Sequence, residues 1–378
     1  VGGRLFRSVV VGGGRDDLTW RANVSADQLN GYVEYRQPSP AGAGRVYARL
    51  AHLTIEPETG TQVEAVLEQQ PASIPALDIV VEDFGVRGKK LGRVEIEAIN
   101  RGGGAGPSDG GVREWRLNKF NVLVPEASFT ATGNWAVASP PPGEATVSRS
   151  QRPADDRRRT TMNFKLAMSD SGALLERFGM KGVIRRGAGK LEGQVAWAGS
   201  PLSPDFPTLG GQFNVNVESG QFLKADPGLA KLLGVLSLQS LPRRMALDFR
   251  DVFSEGFAFD FVRGDVTIEQ GIAATNNLQM KGVNVAVLMD GRADIARETQ
   301  DIRVVVVPEI NALTASLVAT AINPVLGLGT FLAQLVLRQP LIQAATQEFR
   351  VDGSWADPRV TKVTARTATP DNPAAARP

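Results

Sequence analysis

Cysteine occurs nowhere in the 378 residues, and histidine occurs once. The first absence excludes a disulfide framework, a thiol nucleophile and a thiolate metal site. The second excludes a His-rich metal site and leaves His52, in "ARLAHLTIE", as a strand residue with a structural or exposed role. Charge of one sign is lacking too. The 42 basic and 40 acidic residues nearly cancel, so a strongly basic nucleic-acid surface is not indicated and no nucleic-acid partner is expected. No P-loop and no H-E-x-x-H motif occurs. "GGGAGPSDGG" looks like a phosphate cradle only in composition, because no apolar strand feeds it and no helix follows it. The carboxylates of Asp155-Asp156, Asp248/Asp251 and Asp294/Asp301 lie among arginines or at strand ends, where solvated faces account for them. The expectation is a protein without catalytic residues, metal or cofactor: not an enzyme.

What is present is alternation, the period of a strand with one apolar face. Met162, Phe164, Leu166 and Met168 share a face, as do Phe213, Val215 and Val217, and Met245, Leu247 and Phe249. Phe257, Phe259 and Phe261 follow, with Val266 and Ile268 read as lying beyond a turn at Arg263-Gly264. Leu77, Ile79 and Val81, then Val94 and Ile96, then Ala127, Phe129 and Ala131 extend the pattern upstream. Forty glycines and 23 prolines supply the turns between such strands, and antiparallel β-structure is expected. The wholly apolar run Val304–Val307 is less clearly one-sided. A phrase also recurs in which glycine precedes Trp135, Trp197 or Trp355 and proline follows, suggesting related strand-and-turn units with insertions.

Helices are expected to be few. "SDSGALLERFG" offers Ser169 or Ser171 as a cap and Gly179 as a stop. "ADPGLAKLLGVLSLQSLPRR" offers Asp226 as a cap with Pro227 in the first turn. The division expected is a β-rich segment over 1–138, a Pro- and charge-rich linker or loop over 139–160, a second β-rich segment with helices over 161–363, and a disordered tail over 364–378. The chain opens "VGGRLFRSVV", without initiator Met or signal peptide, and reads as a fragment or processed product.

From Ile310 to Leu337 the chain carries no charge for 28 residues. As one helix this would measure about 42 Å, longer than the roughly 30 Å hydrocarbon core of a bilayer. Asn323-Pro324 in its middle looks like a cap and a first helical residue. Two short helices result, near 313–322 and 324–337. Three roles stand open: a helical cap able to enter a membrane shallowly, a buried plug, or a span. The apolar candidates are Leu313, Leu317, Val325, Leu328, Phe331, Leu332 and Leu335.

One-sided strands must cover their apolar face. A sandwich or barrel does so with a second sheet; a single long sheet curled into an open trough does so with an apolar ligand. Alternation alone does not separate the two. The stretches "GLAKLLGVLSLQSLPRRMALDFRDVFSEGFAFDFVRGDVTIEQG" (228–271), "VLMDGRADIARETQDIRVVVVPEINA" (287–312), "INPVLGLGTFLAQLVLRQP" (322–340) and "VDGSWADPRV" (351–360) add to this, because they resemble the AsmA-like family. "SADQLNGYV" and "LEGQVAWAGSPLSPDFPTLGGQF" match it upstream.

That resemblance implies a long β-groove, and with the patterning above the expected fold is mainly β: an elongated antiparallel sheet curled into an open apolar groove, with a few short amphipathic helices, the uncharged stretch being expected as a C-terminal helical cap at the groove's mouth. It implies non-catalytic phospholipid transport across the periplasm of a Gram-negative bacterium toward the outer membrane. The full-length protein would be anchored in the inner membrane by a helix absent from this sequence, and the C-terminal end would meet outer-membrane lipid or protein. The groove candidates are Met162, Phe164, Leu166, Phe213, Val215, Val217, Leu247, Phe249, Phe257, Phe259, Val266 and Ile268. The alternative role is a structural or scaffolding envelope protein that docks an outer-membrane partner through its C-terminal helices.

Overall fold

The computed structural model describes residues 7–39, 44–55, 74–86, 88–101, 114–137, 158–201, 203–223, 257–283, 285–308, 322–338 and 346–363. Its strands, in chain order, are β1 (Val10–Asp16), β2 (Thr19–Ser25), β3 (Leu29–Arg36), β4 (Arg45–Ile55), β5 (Ala76–Val86), β6 (Lys89–Arg101), β7 (Glu114–Val124) and β8 (Ala127–Val137). They continue with β9 (Arg158–Met168), β10 (Ile184–Ala198), β11 (Gly210–Phe222), β12 (Phe257–Glu269), β13 (Ile272–Gly282), β14 (Val285–Asp294), β15 (Thr299–Pro308), β16 (Gln347–Ser354) and β17 (Pro358–Val363). Among the described residues two α-helices accompany them, α1 (Ser171–Arg177) and α2 (Gly327–Arg338).

All 17 strands belong to one sheet, and each pairs with its neighbours in sequence. Among the described residues β1 pairs with β2 alone and β17 with β16 alone, so the sheet is open rather than a sandwich or barrel. The mainly β, elongated architecture is as expected. Two features correct the expectation in detail. The sheet is uncurled, so its apolar side is a strip along a long open surface. Antiparallel pairing is broken once, where β4 and β5 run parallel. Twenty residues, 56–75, separate those two strands, enough for the crossover that parallel neighbours require.

Short reversals do most of the other joining. Gln270 (φ 49°) and Gly271 (φ 76°) connect β12 to β13 with two left-handed residues, the backbone of a tight hairpin. β12 itself runs unbroken from Phe257 to Glu269, so the turn expected at Arg263-Gly264 does not exist; Gly264 is a strand residue pressed against Leu278 of β13. The strands flanking the stretch read as a linker, β8 and β9, pair from Ala127/Met168 to Val137/Arg158, and one sheet passes through that point. Arg158 is therefore a strand residue, with its guanidinium 4.4 Å from the ring centre of Trp135.

α1 starts one residue away from either expected cap. Asp170 is the N-cap, its Oδ1 accepting from the Ala173 amide at 3.0 Å, and Gly179 (φ 93°) ends the turn that follows. At α2, Asn323 Oδ1 accepts from the Val325 amide at 2.8 Å, a turn over 324–326 intervenes, and the helix proper starts at Gly327. The expected helix in 225–244 and all of that near 313–322 but its last residue lie outside the described residues, as do Leu247, Phe249, Leu313 and Leu317.

Candidate apolar binding lane

Strand registers carry one apolar face across the whole ladder. On β9, Met162, Phe164 and Leu166 stand opposite Val195, Gly193 and Leu191 of β10, which stand opposite Gly211, Phe213 and Val215 of β11. β12 continues the face with Ile268, Val266, Gly264 and Val262, which pairs Val217. In the other direction Phe164 faces Ala131 of β8, which faces Phe120 of β7, which faces Ile96 of β6. We refer to this side as the lane face. The opposite, back face carries Asn163, Lys165, Gln194 and Glu192, with Gln194 Nε2 donating to Asn163 Oδ1 at 2.9 Å.

The exposure of the lane face changes along the ladder. Phe120, Val122, Phe129, Met162, Phe164, Leu166, Leu191, Phe213, Val215, Val217, Val262 and Val266 are half-buried. Toward the C-terminal end the same face closes into a packed cluster of Met280, Val285, Val287, Val304, Val306, Phe349 and Val351. Phe259, at 3% exposure, belongs to that cluster, and Ile268, at 5%, is buried as well. These two candidates are core residues in this structure. The other described groove candidates present part of their surface, apart from Phe257, whose strand position opposite Phe222 is all that is described.

Four phenylalanines line up across the open part. Phe120 and Phe129 meet edge to face at 5.7 Å, Phe129 and Phe164 stack at 6.4 Å, and Phe164 reaches Phe213 at 6.4 Å across β10. Gly193 makes the last contact feasible. A Cβ there would lie 2.5 Å from Phe213 Cβ and would also strike Gln212 O, so no larger residue fits between the two rings.

All five tryptophans stand at one rim of the sheet: Trp20 at the start of β2, Trp115 at the start of β7, Trp135 and Trp197 near the ends of β8 and β10, and Trp355 just past β16. Trp115 and Trp135 pair directly, and Trp115 Nε1 donates to Pro75 O at 3.1 Å. The recurring Gly-Trp-Pro phrase thus marks three strands running the same way to the same edge.

The C-terminal helix is where the structure departs most from expectation. Leu328, 1% exposed, packs with Ile322 on Ala286, Leu288, Val305 and Val307, with Phe331 and Leu332 partly buried against them. These strand residues alternate with Val287, Val304 and Val306, so α2 lies on the back face, away from the lane. The helix is no cap over the apolar strip. Val325, by contrast, is 89% exposed, and of Leu335 only its place in the helix is described. Two-sided cover explains why Val304–Val307 lacks a polar face. Among the described residues no helix is long and apolar enough to cross a membrane.

The remaining chemistry is structural. Arg303 donates to both oxygens of Glu348 at 2.8 and 2.9 Å, and Arg350 does the same to Asp301 at 2.8 and 2.9 Å, which holds the Asp301 carboxyl below its ordinary range. His52 Nε2 lies 3.3 Å from Asp27 O. Among the described residues no three His, Cys, Asp or Glu side chains gather as a metal site.

A long ladder of sequential strands with one apolar face and a polar, ion-paired back defines an elongated β-groove type of protein. The chain belongs to the YhdP family, whose sequence profile, for the YhdP protein, matches residues 1–360. It is 31% identical over 206 residues to the intermembrane phospholipid transporter YhdP of Escherichia coli (strain K12). That match takes in 54% of this chain and 16% of the transporter, so the chain corresponds to under a fifth of that relative's length. No solved structure matches significantly.

Proposed function

We propose that the half-exposed lane shelters the acyl chains of phospholipid in non-catalytic transport between two membranes. The observation carrying this reading is the row of half-buried apolar side chains from β7 to β12, with the aromatic series Phe120–Phe129–Phe164–Phe213 at its centre. Burying one methylene is worth about 0.8 kcal/mol, so holding a chain of about 16 methylenes in water costs roughly 13 kcal/mol. Tails therefore need cover along the whole route, while the headgroup stays wet. An apolar strip open on one side meets both requirements without any reacting group.

The family membership and the relative's name support the same cargo. In this reading the longer protein is anchored in the inner membrane, crosses the periplasm of a Gram-negative cell, and delivers toward the outer membrane, whose lipid or protein meets the C-terminal end. A photo-crosslinking residue at Phe164 or Phe213 is expected to capture phospholipid from membranes, and native mass spectrometry to show lipid bound. Crosslinks that never contain lipid, together with a lipid-free spectrum, would overturn the proposal.

A further inference from the structure

The rim opposite the tryptophans carries a feature that neither the sheet nor the lane uses. α1 lies along it as a strap. The Ser169 amide and hydroxyl both donate to Glu126 O in the β7–β8 turn, Arg177 binds the Glu126 carboxylate, and Arg177 Nη1 donates to Lys90 O at the start of β6. The loop after α1 thereby rests on the β5–β6 turn, with Lys89 Nζ against Gly179. At its tip Phe178 and Met180 are 50% and 48% exposed on either side of Gly179.

Cationic residues are grouped in the segments that meet at this rim, with Lys89 at the tip and Arg186 beside Ser171 at the start of α1. Lys89, Lys90, Lys181, Arg185 and Arg186 form no ion pair among the described residues. The acids close by do not neutralise them: Glu126 is taken by Arg177, Asp170 caps α1, and Glu176 is a single exposed carboxylate. Arg186 (φ 62°) and Gly187 (φ 96°) form a left-handed irregularity in β10, a device that re-aims neighbouring side chains. The same point adjoins the lane. A Cβ on Gly187 would sit 2.5 Å from Ser171 Oγ and 3.4 Å from Cγ1 of Val217, and Ile184 packs against the lane-face cluster.

We infer that this rim binds the phosphate of an anionic phospholipid headgroup whose tails lie in the lane beside Val217, an inference that rests on the proposed lipid-carrying role. Five cations without an ion pair among the described residues favour a lipid with net negative charge over a zwitterionic one, and Phe178 and Met180 supply apolar contact where the tails leave the headgroup.

The test is native mass spectrometry of the chain incubated with vesicles of equal phosphatidylglycerol and phosphatidylethanolamine. The wild-type chain should retain phosphatidylglycerol preferentially. A cation near an anionic headgroup contributes about fivefold, so K181Q/R185Q/R186Q should lower that preference by at least about tenfold while total lipid and the unfolding midpoint hold. Unchanged preference in the triple variant overturns the site and leaves the carrier reading standing. No lipid on the wild-type chain overturns both. Displacement of the preference by free inorganic phosphate at equal concentration, or a triple variant that loses only vesicle flotation, would reassign the patch as a phosphate or membrane-surface site and overturn the headgroup assignment.

Discussion

At the scale of single residues, the pair Glu126–Arg177 shows how a charge is used for position. Glu126 sits in a two-residue turn and is almost wholly buried, and Arg177 reaches it from α1, 51 positions later. The guanidinium holds the Glu126 carboxyl below its ordinary value, against the opposing effect of burial. A depressed folded value means that the pair's contribution is complete above the unfolded carboxylate range and is lost as pH falls through the folded value. Glu126→Gln is therefore expected to cost on the order of 3 kcal/mol at neutral pH, since it leaves a partly buried arginine unpaired. Urea unfolding at pH 7 and at pH 3 checks this: the gap between wild type and variant should narrow in acid.

At the scale of elements, α2 and β7 show what periodicity reveals and what it hides. The apolar stripe of α2 was legible in the sequence, but a stripe says only that something is covered, and both sheet faces were available. The face became visible only with Leu328 seated on Leu288 and Val305. Leu328→Ala should cost about 3 kcal/mol and Val325→Ser less than about 0.5 kcal/mol, measured by denaturant unfolding; a membrane-facing lid would show the reverse sensitivity, in lipid binding. In β7 a register shift between Leu117 and Phe120 breaks strict alternation, so the pattern does not single out Phe120 and Val122 although they continue the lane. In β10 the pattern was masked by composition, because Gly189 and Gly193 occupy lane positions beside Leu191 and Val195. Phe261 leaves the expected face for a related reason, the register shift between it and Phe259. It pairs Glu218 and Lys281 on the back face under the Arg263 guanidinium, 4.1 Å away, while Val262 takes the lane position. Uninterrupted alternation, as over Met162–Met168 of β9, is legible in the sequence, whereas Arg158–Thr160 at the start of that strand are hidden by the charged stretch before them.

At the scale of the whole molecule, the lane closes only toward the C-terminal end, and a charge placed on its half-buried part should act on cargo more than on folding. Val215→Asp at a half-buried position is expected to abolish lipid recovery in native mass spectrometry while far-ultraviolet circular dichroism remains that of the wild type. The same substitution at Val304, buried on a face already packed, should unfold the C-terminal cluster instead. The contrast separates surface that serves a ligand from surface that serves the fold.

Among the described residues pairing joins only successive strands, and this has a further consequence. Each strand advances the sheet by about 4.8 Å, so 17 strands reach about 77 Å along the direction of pairing. Because no hairpin depends on a distant one, evolution can lengthen or shorten such a protein in increments of about 10 Å by duplicating or deleting a single hairpin, fitting its reach to a gap without reworking what is already built.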